Sequence, residues 1–267
     1  MLVLIQEAIL LAGTALGAIT DARTGYIYDW ITYPMIGLGI ILALIQQQWM
    51  NLGLGAIIFV VLFIAYYFGK LGGGDVKLFA AIAFLNPQNE AGFLLSAVFV
   101  AAMSAMVFYP AYYTIKYYRK GFSYEENKEG IQKALLFGAI IVAYFYFLTV
   151  FGMMGISSVG IIIVPLLFGL LFMALQKGIT KNFFEKKITL KEVTEEEVIA
   201  EGKNPQKITE ILKGKKLIGE KEVKLLAKNG VKAIYVLRGL PPFGPFILIG
   251  VLIAMFYPDF VMMLFWV

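Results

Sequence analysis

The chain has no cysteine and no histidine among its 267 residues. The first absence excludes disulfides, thiolate nucleophiles and Cys-bound metal, and leaves the redox compartment undetermined. The second removes the commonest general base near neutral pH and the commonest metal ligand. Charge is scarce as well: 15% of the residues are Asp, Glu, Lys or Arg, against about a quarter in an ordinary soluble domain. Acid–base chemistry near pH 7 is therefore left to carboxylates, lysines or tyrosines. No internal repeat or low-complexity tract stands out.

What fills the chain is apolar. Hydrophobic residues make up 60% of it and mean hydropathy is +0.79. They come in long runs rather than amphipathic stripes, so the expected solvent is lipid. The runs fall at 3–20, 31–47, 53–69, 76–86, 91–115, 134–153, 156–175 and 243–263. Most approach the roughly 20 residues that a helix needs to cross the hydrocarbon core. The expected fold is an all-α polytopic membrane protein of about eight hydrophobic helices, with a small cytoplasmic α/β insert before the last. The fourth run is short and covers about half the membrane at about 1.5 Å per residue. It must be buried among other helices or extended by the Asn86–Asn89 turn. The first run does not read as a cleavable signal, because no Lys or Arg precedes it and no small-residue cleavage site is obvious.

Basic residues give the orientation. With the N-terminus outside and every run crossing, the inner connections are 21–30, 70–75, 116–133 and 176–242. They contain Arg23, Lys70, Lys116, Arg119, Lys120, Lys128, Lys133 and all fifteen Lys and Arg from Lys177 to Arg238. That is 22 of 23, and Lys77, the last, lies one turn inside the fourth run. The outer connections carry none. Basic residues stay cytoplasmic, so eight crossings with both termini outside are expected. The net charge of +5 reports orientation and gives no reason to expect nucleic acid.

The insert holds most of the charge. Lys187–Val193 reads as a strand, and Thr194 with Glu197 has capping-box spacing before a short helix. Glu220–Asn229 reads as a helix closed by Gly230, and Lys232–Leu237 as a second strand. It is either a loop domain that packs on itself or a platform that steers a substrate.

Carboxylates in or beside a membrane are rare and are candidates for function. Outside the insert and the 116–133 loop they are Glu7, Asp21, Asp29, Asp75, Glu90 and Asp259, with Glu185 at the margin. Glu90 and Asp259 fall on the outer face. Glu7 lies about 21 Å up the first helix from Asp21. Three aspartates remain on the inner side. Asp75 follows Gly72-Gly73-Gly74, which permits positive φ and close backbone approach; it could equally cap the fourth helix. Asp21 ends the first helix, where the macrodipole disfavours a carboxylate. Asp29 precedes the second helix and fits an N-cap. If two of these meet, they cannot both ionise cheaply and would share one proton. One could then activate water while the other protonates a carbonyl or leaving amine. Pro242 to Pro245 reads either as an ordinary helix start or as irregular backbone beside the pair, tolerated where it is buried or lines a wet cavity. Tyr112, Tyr113, Tyr117 and Tyr118 read as an interfacial belt.

Gly72-Gly-Gly-Asp75-Val-Lys77-Leu fits the GxGD motif and resembles the form in type IV prepilin and preflagellin peptidases. Asp21-x3-Gly-x-Ile-x-Asp29-x2-Thr looks like their first aspartate motif, and Pro242-Phe243-Gly244-Pro245-Phe246 is similar to the motif opening their last helix. The resemblance implies catalysis by Asp21 and Asp75. Gly72, Gly74, Lys77, Asp29, Pro242, Phe243 and Pro245 would support the site or shape the substrate. It implies an aspartic endopeptidase that removes the short basic leader of class III signal peptides, from pilin-like or archaeal flagellin precursors, at the cytoplasmic face of the cell membrane. It implies no metal or other cofactor. The bacterial members' cysteine-containing methylase region has no counterpart here, so N-methylation is not expected, as in archaeal members. Eight segments exceed the family's usual six, with the extra pair expected within 91–175.

The expected division is 1–115 for the five helices carrying both aspartates, 116–175 for a loop and helices six and seven, 176–241 for the insert, and 242–267 for the last crossing. Expected partners are prepilin- or preflagellin-type proteins and the bilayer, with no nucleic acid. Two rival readings remain open on the residues alone: an ion- or proton-coupled transporter, and a non-catalytic assembly protein of a pilus or secretion system.

Overall fold

The computed structural model describes residues 1–69, 71–193, 197–200 and 202–264. Lys70 and the Thr194–Glu196 part of the expected capping box lie outside them. Seven helices come first: α1 Leu2–Thr24, α2 Asp29–Ile45, α3 Trp49–Tyr67, α4 Gly73–Phe84, α5 Ala91–Gly121, α6 Tyr124–Val150 and α7 Ile156–Ile179. A π-helical turn, Thr180–Phe184, leads into a four-stranded sheet with two short helices, and then into α10 Gly244–Phe256 and α11 Phe260–Met263. Among the described residues, five helices are long and apolar enough to span a bilayer: α1, α3, α5, α6, and α7 continued through the π turn. Two shorter apolar helices, α2 and α10, accompany them. The chain is a multi-pass helical membrane protein.

Side-chain burial follows from lipid as solvent. Among the described residues, α3 fully buries Asn51 and Gly55 alone, and α6 Asn127 and Phe145; most of their large apolar side chains are exposed, while Leu54, Ile58 and Leu62 of α3 pack partly buried against the core. α4 is the opposite case. Its 12 residues are about 18 Å long, and Leu78 through Phe84 are all buried. A helix apolar on every side belongs inside, and α2, α3 and α1 pack around this one. The expectation that a short fourth segment must be enclosed holds.

Enclosure obliges the end of α4 to find polar partners. Asn51 of α3 donates to the Asn86 carbonyl at 2.6 Å and to Gln48 at 3.0 Å, and Gln6 of α1 donates to Gln48 at 2.7 Å. Gln6, Asn51 and Asn86 are fully buried. These amides tie α1, α3 and the α4 exit together at the end of the bundle away from Asp21.

Without a hydrophobic force between helices in lipid, close backbone approach through small residues holds them. A Cβ on Gly250 of α10 would lie 2.1 Å from the Ala97 carbonyl oxygen of α5, and one on Gly130 of α6 would lie 2.6 Å from the Ala174 carbonyl oxygen of α7. α6 packs on α7, and α7 on α5. Asn127 locks this side, donating to Tyr117 at 3.0 Å and accepting from the Gly178 amide at 3.1 Å.

Several boundaries differ from the sequence reading. The 116–133 connection is mostly helix, because α5 runs to Gly121 and α6 starts at Tyr124. Arg119 and Lys120 suit a helix C-terminus, while Ser123 caps α6 with Glu125 and Glu126 in its first turn. The last apolar run breaks at Tyr257-Pro258, where proline cannot continue α10. Tyr113 and Tyr117 are not an interfacial belt. They are buried against α7 and the π turn, whereas Tyr112 and Tyr118 are exposed.

The sheet comprises β1 Glu185–Thr189, β2 Glu197–Ile199, β3 Leu217–Ile218 and β4 Ala233–Leu237, ordered β1-β4-β2-β3 and antiparallel throughout. Alternation along β4 turns Ile234 and Val236 inward onto Ile188, Ile208 of α8 (Gln206–Ile211) and Leu226 of α9 (Glu220–Lys228). The α9 and Lys232–Leu237 expectations stand within a residue, with Gly230 at φ 75°. Two others are corrected. The first strand begins at Glu185 and ends in a 3₁₀ turn, Leu190–Glu192, which Thr189 and Glu192 cap. Glu197 opens a strand rather than a helix: Val198 and Ile199 pair with β4, and buried Glu197 binds Arg238 at 2.5 Å. On α9, Lys215 beside Glu222 holds that carboxyl below its ordinary range.

Gly250→Ala should destabilise the protein by about 1–3 kcal/mol, because its methyl meets backbone that cannot yield. Gly37→Ala, where nothing lies within 4 Å, should be neutral or slightly stabilising. Thermal unfolding of both variants in detergent checks the pair.

Candidate active site

Asp21 lies in the last turn of α1, which Gly25 closes with φ 75° and an amide bonded back to the Asp21 carbonyl. Its carboxylate therefore sits at the negative end of its own helix dipole, as the sequence indicated. The compensation comes from the other end of the chain. The Gly244 amide donates to Asp21 Oδ2 at 2.7 Å, and the Phe243 amide lies beside the same carboxyl. These are the first amides of α10, at the positive end of its dipole. Pro245 fixes the first turn of α10, so Pro242 to Pro245 is both an ordinary proline helix start and the backbone against Asp21. Gly244 is required by space: a Cβ there would meet Ala18 Cα and Asp21 Oδ2 at 3.1 Å. Asp21 is buried.

Asp75 is the third residue of α4, whose N-cap is Gly72. The Asp75 side chain does not cap the helix from the N-cap position. It turns back toward Gly72, where an added Cβ would lie 3.0 Å from Asp75 Oδ2. Gly74 lets α4 start against the α1–α2 loop, where an added Cβ would fall 2.9 Å from the Ile27 carbonyl oxygen. This turn carries Asp75 into electrostatic range of Asp21. The two aspartates thus share one end of the bundle, opposite the buried amides.

Asp29 stands apart from them. It is the first residue of α2, one place beyond the N-cap Tyr28, and makes no capping bond. It pairs instead with Lys77 at 2.5 Å, and the Lys77 ammonium lies 5.0 Å from the centre of the Tyr33 ring. Asp29 and Lys77 therefore brace α2 against α4 beside the pair. Among the described residues, no three Cys, His, Asp or Glu gather as a metal site would require.

Tyr109 is a component that the sequence reading passed over. It lies on α5 in electrostatic range of both Asp21 and Asp75, and its hydroxyl donates to the Pro242 carbonyl. The available signal was the spacing of Tyr109, Tyr113 and Tyr117, four residues apart on one helix face. Close by, the insert faces the loop that follows Asp21. Tyr26 and Tyr28 of that loop and Val193, Gly219, Glu220, Val223 and Lys224 of the insert line a cavity of about 700 Å³.

The Asp29 side chain is 55% exposed and that of Lys77 25%, so solvent screens their attraction. Asp29→Asn should cost less than about 1 kcal/mol, and the difference from the unaltered protein should shrink further in high salt. Thermal unfolding at two ionic strengths measures both effects.

No curated protein and no solved structure matches the chain. Residues 8–110, which hold both aspartates and Tyr109, match the model of the type IV leader peptidase family.

Proposed function

We propose that the protein is a membrane-embedded aspartic endopeptidase that removes the short basic leader of prepilin- or preflagellin-type precursors at the cytoplasmic face. One observation carries the reading. Asp21 and Asp75, far apart in sequence and rare as membrane carboxylates, come within electrostatic range at one end of the bundle, inside the span matched to a leader peptidase family. Eight crossings with both termini outside would put that end on the side of the basic residues. α6 and α7 would then be the additional pair, since they lie beyond the matched span and touch the rest through α5.

The chemistry needs one carboxylate ionised and the other protonated. The ionised group takes a proton from water, whose oxygen attacks the scissile carbonyl carbon, while the protonated group gives its proton to the carbonyl oxygen. Collapse of the tetrahedral intermediate breaks the C–N bond, and the proton held by the dyad passes to the leaving amine. A peptide must leave its helix before this can happen. The non-helical backbone from Gly239 to Phe243 and the glycines before Asp75 are where an extended segment could lie. The insert is proposed as the platform that steers the precursor, since its cavity adjoins the loop after Asp21.

Cleavage of a prepilin-like substrate in detergent should be lost in Asp21→Asn and in Asp75→Asn, by at least about a thousandfold, with thermal unfolding unchanged in character. Asp29→Asn should keep most of the activity. A dead Asp29→Asn beside an active Asp21→Asn would reverse the choice of first aspartate.

Because the rate requires one proton on the pair and not two or none, kcat/KM should fall on both the acid and the alkaline side. A pH profile with a single limb would contradict a dyad.

A further inference from the structure

α5 holds α10 by the same kind of bond at both ends. At one end the Ser96 hydroxyl of α5 donates to the Pro258 carbonyl, just past the C-terminus of α10, at 2.7 Å. At the other the Tyr109 hydroxyl of α5 donates to the Pro242 carbonyl, just before its N-terminus. Between them the helices meet at backbone distance around Gly250 and Ala97. The two bonds have different neighbours. The Pro258 turn is remote from both aspartates, whereas Pro242 is joined through Phe243 to the Gly244 amide that binds Asp21.

We infer that Tyr109 is a positioning residue for the aspartate pair, acting through the Pro242–Gly244 turn. Its hydroxyl fixes the Pro242 carbonyl, which fixes the plane of the following peptides and so the direction in which the Phe243 and Gly244 amides point. Among the described residues, Asp21 is the residue of α1 that accepts a bond from that turn, so the direction of the turn's amides bears directly on this carboxyl. The Tyr109 ring is held independently, edge-on to Phe246 with centroids 5.1 Å apart and beside Tyr113 at 6.2 Å. Removing the hydroxyl alone therefore leaves the packing in place. Irregular backbone within a bundle keeps a single geometry only where its carbonyls are bonded, and Pro242, having no amide of its own, can be tethered only through its carbonyl.

This inference rests on the proposed peptidase reading, and Tyr109→Phe tests it with Ser96→Ala as its counterpart. Each substitution deletes one hydroxyl–carbonyl bond between α5 and α10, and Ser96→Ala also removes the bond that this hydroxyl accepts from the Val261 amide, so Ser96→Ala should lower the unfolding temperature at least as much as Tyr109→Phe. In Tyr109→Phe, kcat should fall by about tenfold to a hundredfold, the penalty of slightly misplaced catalytic groups, with KM within about twofold. In Ser96→Ala both constants should be unchanged. Hydrogen exchange over residues 240–247 should quicken in Tyr109→Phe and not in Ser96→Ala, a readout that does not require the protein to be a peptidase. Unchanged exchange in Tyr109→Phe, an unchanged kcat, or a rise in KM alone would overturn the positioning role. Quickened exchange in a protein that cleaves no precursor would uphold it and count against the peptidase reading instead.

Discussion

The bond from the Gly244 amide to the Asp21 carboxylate joins the start of the last helix to the end of the first, and the rest of the arrangement depends on it. A carboxylate buried in a bundle surrounded by lipid is costly unless its oxygens are bonded. Asp21 cannot be served by its own helix, whose C-terminal carbonyls repel it. The N-terminus of another helix offers free amides and a favourable dipole together. α10 supplies these, so it must enter the bundle beside the end of α1, and the sheet that precedes it must stand at that same end. The position of the insert follows from the polar needs of one side chain.

The glycines belong to the same economy of space. Gly244 allows the α10 backbone to reach Asp21, and Gly74 allows α4 to begin on the Ile27 backbone, which sets Asp75 opposite. In water such approaches would compete with larger buried side chains. In lipid, where apolar side chains gain little by meeting one another, backbone proximity is what holds helices. Gly39 and Gly55 do the same at the far end of α4, where an added Cβ would strike Phe84 at 2.8 and 2.4 Å. α4 is thus gripped at both ends, which a helix too short to span the core requires.

The legible parts of the sequence were those that break an apolar background. Asp21 and Asp75 stood out as charges, Gly72–Gly74 and Pro242–Pro245 as backbone punctuation, and the basic residues as a sided pattern. Neutral polar residues do not break the background in that way. Tyr109 is one tyrosine among fifteen, and only its pairing with a carbonyl 133 positions away distinguishes it. The buried amides Gln6 and Asn51 are illegible for the same reason, and Asn86 shows in the sequence only as the start of a turn. Glu197 was misread because Thr-x-x-Glu spacing is a local signal, whereas its strand is decided by pairing with β4 and by Arg238. Asp29 was read as a cap because sequence resolves a helix start only to within a residue, and its partner Lys77 lies in another helix.

The matched span ends at residue 110, one residue past Tyr109 and inside α5. It contains both aspartates, yet the amide that bonds Asp21 comes from residue 244. The two aspartates and the turn that bonds Asp21 are therefore encoded in different parts of the chain, and Tyr109 is where they meet: it belongs to the matched span and bonds to the turn outside it. A segment that supplies only backbone amides to a carboxylate is constrained in conformation and hardly at all in side chain, apart from the glycine that must fit and the prolines that set the turn. Such a segment can drift in sequence, and can carry a whole folded insert ahead of it, while the geometry at Asp21 stays fixed.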